Sequence, residues 1–353
     1  MAKAAKQILI VGPSWVGDMV MAQSLFIALK QQHPNCLIDV LAPAWSLPIL
    51  ERMPEVRRGI IMPVGHGALQ WSTRVEVAKQ LKPQGYDQAI VLPNSLKSAL
   101  IPFLAEIPQR TGWRGEMRYF LVNDIRLLSK TRYPLMVQRF VALAHQPGVI
   151  PKPEQCPNPS LKVDAELVPA TLAKFDLAVQ QPFLALCPGA EFGPAKRWPE
   201  RHYAAVAEHF IARGYRVALF GSENDRAVAA DIIGLVNENN RDQCVSLAGD
   251  TSLAEAVDIL SAAAAVVSND SGLMHIAAAL GRPLVSVYGS TSPSFTPPLS
   301  ERVRVESIPV DCGPCFQREC PKGHLKCLND LAPQQIIQAL DSLLAETIKE
   351  VSL

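Results

Sequence analysis

The feature that most constrains the fold is an alternation of strand-like and helix-like segments that occurs twice along the chain. In the first copy, short apolar runs lie at 7–12, 36–43 and 86–94, and amphipathic stretches lie at 19–34 and 95–106. Ser95 is the expected cap of the last of these helices. Uniformly apolar strands that alternate with helices are typical of a parallel sheet covered by helices on both faces.

The alternation stops in the proline-rich stretch 146–182 and then starts again. The second copy has strand-like runs at 183–190, 215–222, 244–249, 264–270 and 283–290, with helix-like stretches at 200–214, 224–238, 252–263 and 271–281. A last amphipathic stretch covers 332–351. We therefore predict an α/β protein with two doubly wound domains, residues 1–175 and 176–330, and a C-terminal helix within 331–353.

Composition excludes several classes of protein. Of the 353 residues, 48% are hydrophobic and 19% charged, which is enough apolar material for two sizeable cores and argues against global disorder. The net charge of +1 argues against binding to nucleic acid through bulk charge. The first apolar run is too short for a signal peptide, and no stretch approaches the roughly 18 apolar residues of a membrane span. We predict a cytoplasmic protein, with surface association to a membrane still open.

Two glycines after the first strand-like run, Gly12 and Gly17 of "GPSWVGDMV", have the spacing of a phosphate-binding P-loop. That motif continues with Lys and then Ser or Thr, whereas this chain has Asp18 and Met19. A carboxylate repels phosphates, so a nucleotide site is not predicted here. Asp18 stands at a helix start, where the dipole stabilises a carboxylate by roughly 0.3–1 kcal/mol. It is a candidate general base, the alternative being an ordinary acid at a helix N-terminus.

Polar loops follow several strands of the second copy, at the sheet edge where ligands of open parallel sheets bind. Lys196 precedes a helix and suits a pyrophosphate, unless it is only a solvated loop charge. In "SNDSGLMH", Asp270 and Ser271 are expected to cap a helix, and Gly272 lets a ligand approach the backbone. With His275 one turn further on, this segment predicts an anion site, the alternative being an ordinary cap beside a surface histidine.

An acid and a basic stretch extend the set of candidates. Glu223 in "FGSENDR" follows a strand and is placed to accept hydrogen bonds from ribose hydroxyls, or is an acid favoured by the helix dipole. Residues 97–132 are rich in Arg and Lys, with aromatic side chains between them. Such a pattern suits nucleic acid, a phosphorylated or carboxylated sugar, or a merely solvated face.

Four cysteines, Cys312, Cys315, Cys320 and Cys327, cluster near the end of the chain, with His324 between the last two. A Cys-x-x-Cys pair followed by two more thiols can hold a structural zinc ion. The second spacing is tighter than in a zinc ribbon. Three interpretations therefore stay open, namely a structural zinc site, reduced thiols in a loop, and disulfides formed on purification.

Five segments, in this order, resemble the bacterial ADP-heptose:lipopolysaccharide heptosyltransferases: "ILIVGPSWVGDMVMAQSLFIAL", "NSLKSAL", "RTGWRGEMRY", "CPGAEFGPAKRWP" and "SNDSGLMHIAAALGRPLVSVYGSTSPSFTPP". The resemblance covers nearly the whole chain and is strongest to the type II branch of the family. It implies a GT-B glycosyltransferase, with two Rossmann-like domains whose parallel sheets face a central cleft and a last helix that packs back on the first domain.

The resemblance also implies the substrates. The donor is then ADP-L-glycero-D-manno-heptose, and the acceptor is the first heptose of the lipopolysaccharide inner core, carried on Kdo and lipid A. An acceptor of this kind implies work at the cytoplasmic face of the inner membrane, without nucleic acid. Transfer to Kdo itself, as by type I enzymes, and a non-catalytic nucleotide-sugar binding protein are the alternatives.

The resemblance implies roles for particular residues. Asp18 matches the family's proposed base, Lys196 its phosphate-binding lysine, and Glu223, more loosely, its ribose-binding glutamate. Lys97 matches a position associated with the anionic acceptor. The segment "DSGLMH" assigns four residues to the ADP site, Asp270, Gly272, Leu273 and His275. We add three arginines to the acceptor side because of their charge, Arg110, Arg114 and Arg118. No cofactor is required, since Lys196 and a helix start already supply positive charge to the leaving ADP.

Overall fold

The computed structural model describes residues 5–65 and 68–351 of the chain, and the side chains of these residues up to 347. Residues 1–161 and 162–353 form two compact units. Each unit contains one six-stranded sheet, and every recorded strand pair is parallel.

The first unit alternates strands and helices. Its strands are β1 (Gln7–Val11), β2 (Leu37–Ala42), β3 (Val56–Ile61), β4 (Gln88–Val91), β5 (Gln109–Trp113) and β6 (Asp124–Arg126). Its α-helices are α1 (Val16–Gln32), α2 (Leu47–Leu50), α3 (Trp71–Leu81), α4 (Leu100–Leu104) and α5 (Met136–Val141). The strand order is β3-β2-β1-β4-β5-β6, so the chain changes direction across the sheet between β1 and β4.

The centre of this sheet is held by apolar burial. Ile8, Leu9 and Ile10 of β1 are all fully buried. In register, Ile8 lies beside Ile38 of β2 on one side and Gln88 of β4 on the other. A central strand of a doubly covered sheet has no solvated face, which is why β1 is apolar without alternation.

The second unit repeats the plan. Its strands are β7 (Phe183–Cys187), β8 (Arg216–Leu219), β9 (Cys244–Ser246), β10 (Ala265–Asn269), β11 (Leu284–Val287) and β12 (Val303–Glu306). Its α-helices are α6 (Val168–Ala173), α7 (Glu200–Ile211), α8 (Arg226–Leu235), α9 (Leu253–Ala262), α10 (Gly272–Ala279), α11 (Lys326–Asn329) and α12 (Pro333–Val351). The order β12-β11-β10-β7-β8-β9 is the order of the first sheet, with the change of direction between β7 and β10.

The structure confirms the two doubly wound halves and adds strands that sequence patterns did not indicate. These are β3, β5, β6 and β12, which lie toward the edges of the two sheets. Edge strands carry polar side chains; β3, for example, reads "VRRGII" and is half exposed. Without a continuous apolar run, such strands resemble loops in the sequence.

The boundary between the units falls at 161/162 rather than at 175/176. The proline-rich stretch contains α6, which packs against α9 of the second unit. Leu172 of α6 is fully buried, and Lys174 beside it forms an ion pair with Glu255, with 2.5 Å between nitrogen and oxygen. Apolar contact of α6 with α9 thus makes residues 162–175 part of the second unit.

The final helix has extensive contacts within the second unit, and its expected packing on the first domain stays a prediction. Ile336, Leu340 and Leu343 of α12 belong to the hydrophobic core of the second unit. The helix lies against α7, β11 and β12. Its apolar stripe matches a face of the second sheet that would otherwise be open to water, and burial of that stripe decides where it packs.

One helix start was also different from the prediction. The segment 95–106 begins with a 3₁₀ turn, Leu96–Ala99, before α4, and Ser95 makes no capping bond through its side chain. No helix in the described part of the chain is both long and apolar enough to cross a membrane.

Candidate functional site

The sequence-predicted residues collect where each sheet changes direction. In the first unit, Asp18 follows β1 and Lys97 follows β4. In the second unit, Lys196 follows β7 and Asp270 follows β10. The carboxyl ends of the two strands on either side of a switch point leave a crevice, which is where open α/β sheets bind ligands.

The centre of the second-unit site is an ion pair. Lys196 Nζ lies 2.6 Å from Asp270 Oδ2 and 3.3 Å from the Asp270 carbonyl oxygen. Both side chains are largely buried, with 14% and 6% of their surface exposed. Thr291 donates a further hydrogen bond to Asp270 Oδ2 at 2.6 Å. Lys196 therefore has a fixed position and, as an ammonium with three donors, keeps capacity for an anion.

Asn269, one residue earlier, joins the segments around this pair. Its Oδ1 accepts hydrogen bonds from the Trp198 backbone N–H and the Tyr203 hydroxyl, and its Nδ2 donates to the Pro188 carbonyl. Asn269 is fully buried, so these bonds satisfy a side chain that has no access to water. Asn269 carries no functional signal in the sequence, because an Asn before a helix is an ordinary turn residue.

Helix α10 begins beside the pair. Ser271 is its N-cap, and its side-chain oxygen accepts the Met274 N–H at 3.4 Å. The prediction that Asp270 shares this capping role is wrong, because its carboxylate is bound to Lys196 and Thr291 instead. Gly272 and Leu273 form the first turn, whose backbone N–H groups lack partners within the helix and suit a phosphate.

His275 is placed differently from the surface histidine that one interpretation allowed. It is 5% exposed, and burial lowers its pKa to about 4, with Lys196 adding to the shift and Asp270 opposing it. It is therefore neutral near pH 7 and contributes no positive charge to an anion site. It can still donate or accept one hydrogen bond.

Glu223 follows β8, at the start of the 3₁₀ turn Glu223–Asp225, and is exposed. Its carboxylate forms an ion pair with Arg226, with Oε1 2.8 Å from Nε. Gly249 approaches it so closely that a Cβ there would stand 2.6 Å from Glu223 Oε2. Its role toward a ribose stays a prediction.

Asp225 is a residue that sequence reasoning missed. Its Oδ2 accepts hydrogen bonds from both the backbone N–H and the hydroxyl of Ser222, and Arg197 lies 3.4 Å from Oδ1. A Cβ at Gly189 would fall 2.5 Å from Asp225 Oδ2, and one at Gly221 would fall 2.6 Å from Asp225 Cβ. The glycines after β7 and β8 thus make room for a buried carboxylate that ties the two loops together.

In the first unit, Asp18 lies in the first turn of α1 and is half-buried. It is the acid of that turn, and the N-cap residue Trp15 offers no side-chain acceptor. The N-terminal end of the helix dipole therefore acts on this carboxylate. Gly12 has a packing role, because a Cβ there would lie 2.7 Å from Met19 Cε and 3.3 Å from Val40 Cγ1.

Lys97 lies in a turn that two buried arginines hold in place. Arg74 donates to the Lys97 carbonyl oxygen at 3.0 Å, and its other bonds go to the Leu69 and Ala68 carbonyls. Arg118 donates to the Pro93 carbonyl at 2.6 Å and to the Ser98 hydroxyl at 3.2 Å. The Lys97 side chain itself is half-buried.

This arrangement overturns the assignment of Arg118 to the acceptor. Arg118 is 2% exposed, and burial lowers its pKa to about 10. Its guanidinium is used within the unit, since it also donates to the Trp113 carbonyl at 2.7 Å. Arg110 donates hydrogen bonds to the Leu121 and Ile107 carbonyl oxygens, so part of its guanidinium is also bound within the unit.

The other predicted positions remain accessible. Arg114 is exposed, as are the large apolar side chains that follow it at Met117, Tyr119 and Phe120.

In the second unit, Cys312, Cys315, Cys320 and Cys327 line one pocket together with His324. The structure thus brings the four cysteines together, and Ala195, the neighbour of Lys196, lines the same pocket.

The fold and these loops define a class. Two units, each with a six-stranded parallel sheet of the same Rossmann-like order and a polar switch point, have the architecture of a GT-B glycosyltransferase. The profile of Glycosyltransferase family 9 (heptosyltransferase) matches residues 74–326. The chain belongs to this family of glycosyltransferases.

Individual relatives match over nearly their full length. Lipopolysaccharide heptosyltransferase 2 of Salmonella typhimurium is 49% identical, with 96% of this chain and 99% of that protein covered. Lipooligosaccharide heptosyltransferase 2 of Haemophilus influenzae is 52% identical at the same coverage. The structure of Escherichia coli ADP-heptose lps heptosyltransferase II superposes with a TM-score of 0.86 at 46% identity, covering 97% of this chain and 99% of that one.

Proposed function

We propose that the protein transfers L-glycero-D-manno-heptose from ADP-heptose to the first heptose of the lipopolysaccharide inner core. The observation that carries the proposal is the 49% identity, over 99% of its length, to a relative named lipopolysaccharide heptosyltransferase 2. The buried Lys196–Asp270 pair at the second switch point supports it, because such a site suits the diphosphate of a nucleotide sugar.

On the donor side, Lys196 and the first turn of α10 receive the diphosphate. Asp270 holds the Lys196 ammonium at 2.6 Å, so the lysine side chain loses little further conformational entropy when ADP-heptose binds. The N–H groups of Gly272 and Leu273 add donors, and the neutral His275 adds one more hydrogen bond. Glu223 accepts from the ribose. Lys196 thereby stabilises the charge that develops on departing ADP, and the transfer needs no metal ion for that purpose.

On the acceptor side, Asp18 acts as the general base. The acceptor hydroxyl oxygen attacks the anomeric carbon of the heptose while the bond from that carbon to the ADP oxygen breaks. The hydroxyl proton passes to the Asp18 carboxylate, and the electron pair of the broken bond leaves with ADP. Lys97 and Arg114, with some of the charge of Arg110, bind the anionic groups of the inner core.

The acceptor is a lipid, so the enzyme meets it at the cytoplasmic face of the inner membrane. The exposed side chains of Met117, Tyr119 and Phe120 support this part of the proposal, with 80%, 56% and 89% of their surface exposed. Large apolar side chains at such exposure beside the cationic Arg114 suit an anionic lipid surface. Binding there is peripheral.

The test is a transfer assay with purified ADP-heptose and a core acceptor that ends in one heptose, followed by linkage analysis of the product. We expect one added heptose linked to the first. A second acceptor that ends in Kdo separates the type I alternative. Transfer to the Kdo-terminated acceptor, or to neither acceptor, would contradict the proposal.

A further inference from the structure

The segment between β12 and α11 is a long irregular loop. Residues 307–325 contain neither helix nor strand, and no residue in 307–327 is fully buried. Phe316 is 48% exposed. Ile308, Leu325 and Cys327 pack against the core of the second unit, but each is only partly buried. A loop of this length therefore gains little from the hydrophobic effect to offset the entropy of ordering it, and a cross-link would offset that entropy.

The loop carries four thiols in one place. Cys312, Cys315, Cys320 and Cys327 line a single pocket. All eight cysteines of the chain lie in the described part and are free thiols, so no disulfide supplies the cross-link. Four sulfur ligands from Cys-x-x-Cys and two later cysteines are the donor set of a tetrahedral structural zinc ion.

The chain turns tightly after Cys320. The Gly323 N–H donates to the Cys320 carbonyl oxygen at 3.0 Å, and Gly323 has a φ of +67°, a conformation that favours glycine. Cys320 and Cys327, on either side of this turn, line the same pocket.

His324 is the less suitable ligand of the pocket. Its Nδ1 accepts the Lys326 backbone N–H at 3.0 Å, which places the proton of a neutral ring on Nε2. Neither nitrogen then has a lone pair for a metal. The four cysteines therefore form the complete donor set.

The loop also supports the segment that carries Lys196. The Arg318 carbonyl accepts the Ala195 N–H at 3.0 Å, and Gly193 approaches so closely that a Cβ there would lie 2.4 Å from the same oxygen. The Arg318 guanidinium and the Lys196 ammonium both lie over the Phe192 ring, 5.3 and 5.0 Å from its centroid. The cysteine loop thus contacts residues 192–196 through both backbone and side chains.

We propose that Cys312, Cys315, Cys320 and Cys327 together bind one thiolate-preferring divalent metal ion, of which zinc is the prime candidate, and that this ion braces the Lys196 segment. No three His, Cys, Asp or Glu side chains in the described residues already stand in metal-binding geometry. Binding therefore requires the four thiols to lose their protons to solvent and to converge by side-chain rotation. The bracing half of the proposal rests on the proposed role of Lys196 toward ADP.

The first experiment measures metal. Protein purified under reducing conditions without added chelator is analysed for zinc and iron by mass spectrometry, and then reconstituted with Co²⁺. We expect about one metal ion per chain and the intense sulfur-to-cobalt absorption of a four-thiolate site. Cys312→Ser and Cys320→Ser lose the ion, whereas Cys244→Ser, a half-buried thiol on β9, retains it. Substoichiometric metal, disulfides in its place, or retention by both loop variants would overturn the site.

The second experiment tests whether the metal ion holds the Lys196 segment in position. ADP affinity is titrated by calorimetry for the metal-loaded wild type, the chelator-treated wild type and Cys320→Ser. We expect ADP to bind roughly tenfold more weakly without metal, because a displaced segment misplaces Lys196. Unchanged affinity would overturn the brace and leave the metal site standing. Metal content does not depend on what Lys196 binds, so failure of the proposed function is distinguishable from failure of the metal site.

Discussion

The loops after β1 and after β7 occupy the same place in two sheets of the same strand order, yet they carry opposite charges. After β1 the chain enters α1 within a few residues, and the first turn holds the acid Asp18. After β7 a longer loop, 188–199, carries Lys196 before α7 begins. The Lys196 side chain is fixed by a buried carboxylate, while Asp18 is half-buried at a helix N-terminus.

The comparison teaches that topology provides the position and side chains provide the chemistry. A switch point opens a crevice in either sheet. The Lys196 ammonium, held in place by Asp270 beside the N-terminal N–H groups of α10, suits a diphosphate. An acid at the same topological place repels a diphosphate and suits proton transfer instead. One duplicated architecture can thus serve the two partners of a transfer reaction with different residues.

The largest expected effect comes from the acid of the first loop. Asp18→Asn should lower kcat by about 10²–10⁴, because the amide cannot accept the acceptor proton, while ADP affinity stays unchanged. Steady-state kinetics and calorimetric titration of ADP measure the two quantities. Glu200→Gln, which removes the acid from the first turn of α7, is the matched control and should leave kcat unchanged. Equal losses of turnover and ADP affinity in Asp18→Asn would contradict the division of roles, in which the loop after β1 serves proton transfer and the loop after β7 binds the diphosphate.

The next largest effect separates Arg118 from Lys97, two cationic residues that the sequence analysis assigned to the acceptor. Arg118→Met should lower the free energy of unfolding by about 3–5 kcal/mol, because it leaves several buried carbonyl oxygens without donors. Lys97→Met should weaken acceptor binding with little loss of stability. Urea unfolding and the acceptor KM measure these effects. The assignment of Arg118 to structure fails if its variant is as stable as the wild type and has only a raised KM.

The neutral histidine of the second site predicts a pH dependence. His275 has a pKa near 6.5 when unfolded and about 4 when folded, so the unfolded state binds the proton more tightly. The corresponding stability is fully present above pH 6.5 and falls by about 3 kcal/mol as the pH drops through 4.

Urea unfolding is measured at several pH values across pH 4–7. The free energy of unfolding should rise less steeply with pH in His275→Gln than in the wild type. The slope does not vanish, because burial also lowers the pKa of His145 and His202. His33→Gln, at an exposed position, is the control and should keep the wild-type slope. An unchanged slope in His275→Gln would show that this histidine is not protonated on unfolding in that range.

The smallest expected effect concerns the exposed apolar side chains of the first unit. Phe120→Ser should reduce binding to anionic phospholipid vesicles roughly tenfold, equivalent to about 1.5 kcal/mol for one aromatic side chain. Val179→Ser, which removes an exposed apolar side chain of the second unit, should leave binding unchanged. Sedimentation with vesicles measures both. Equal binding of Phe120→Ser and wild type would place the lipid contact elsewhere.

The doubly wound class and the places of the central strands follow from the amino-acid sequence alone. A strand such as β1 must be apolar throughout because it is buried on both faces, and that pattern is local. The sequence also indicated Asp18, Lys196 and the α10 segment, since helix starts after buried strands are visible in the chain. Which charged residues form hydrogen bonds inside the fold depends on the three-dimensional arrangement. Arg118 and Arg114 look alike in sequence, yet one is buried against the Pro93 carbonyl and the other is exposed.

The same holds for Asp225, for Asn269 and for the surface that α12 covers. Each depends on groups far away in the chain, such as the approach of Gly189 to Asp225 or the open face of the second sheet. Local patterns record what a residue needs from its neighbours in sequence. Burial, hydrogen-bond partners and charge compensation depend on neighbours in space, and those exist only once the chain has folded.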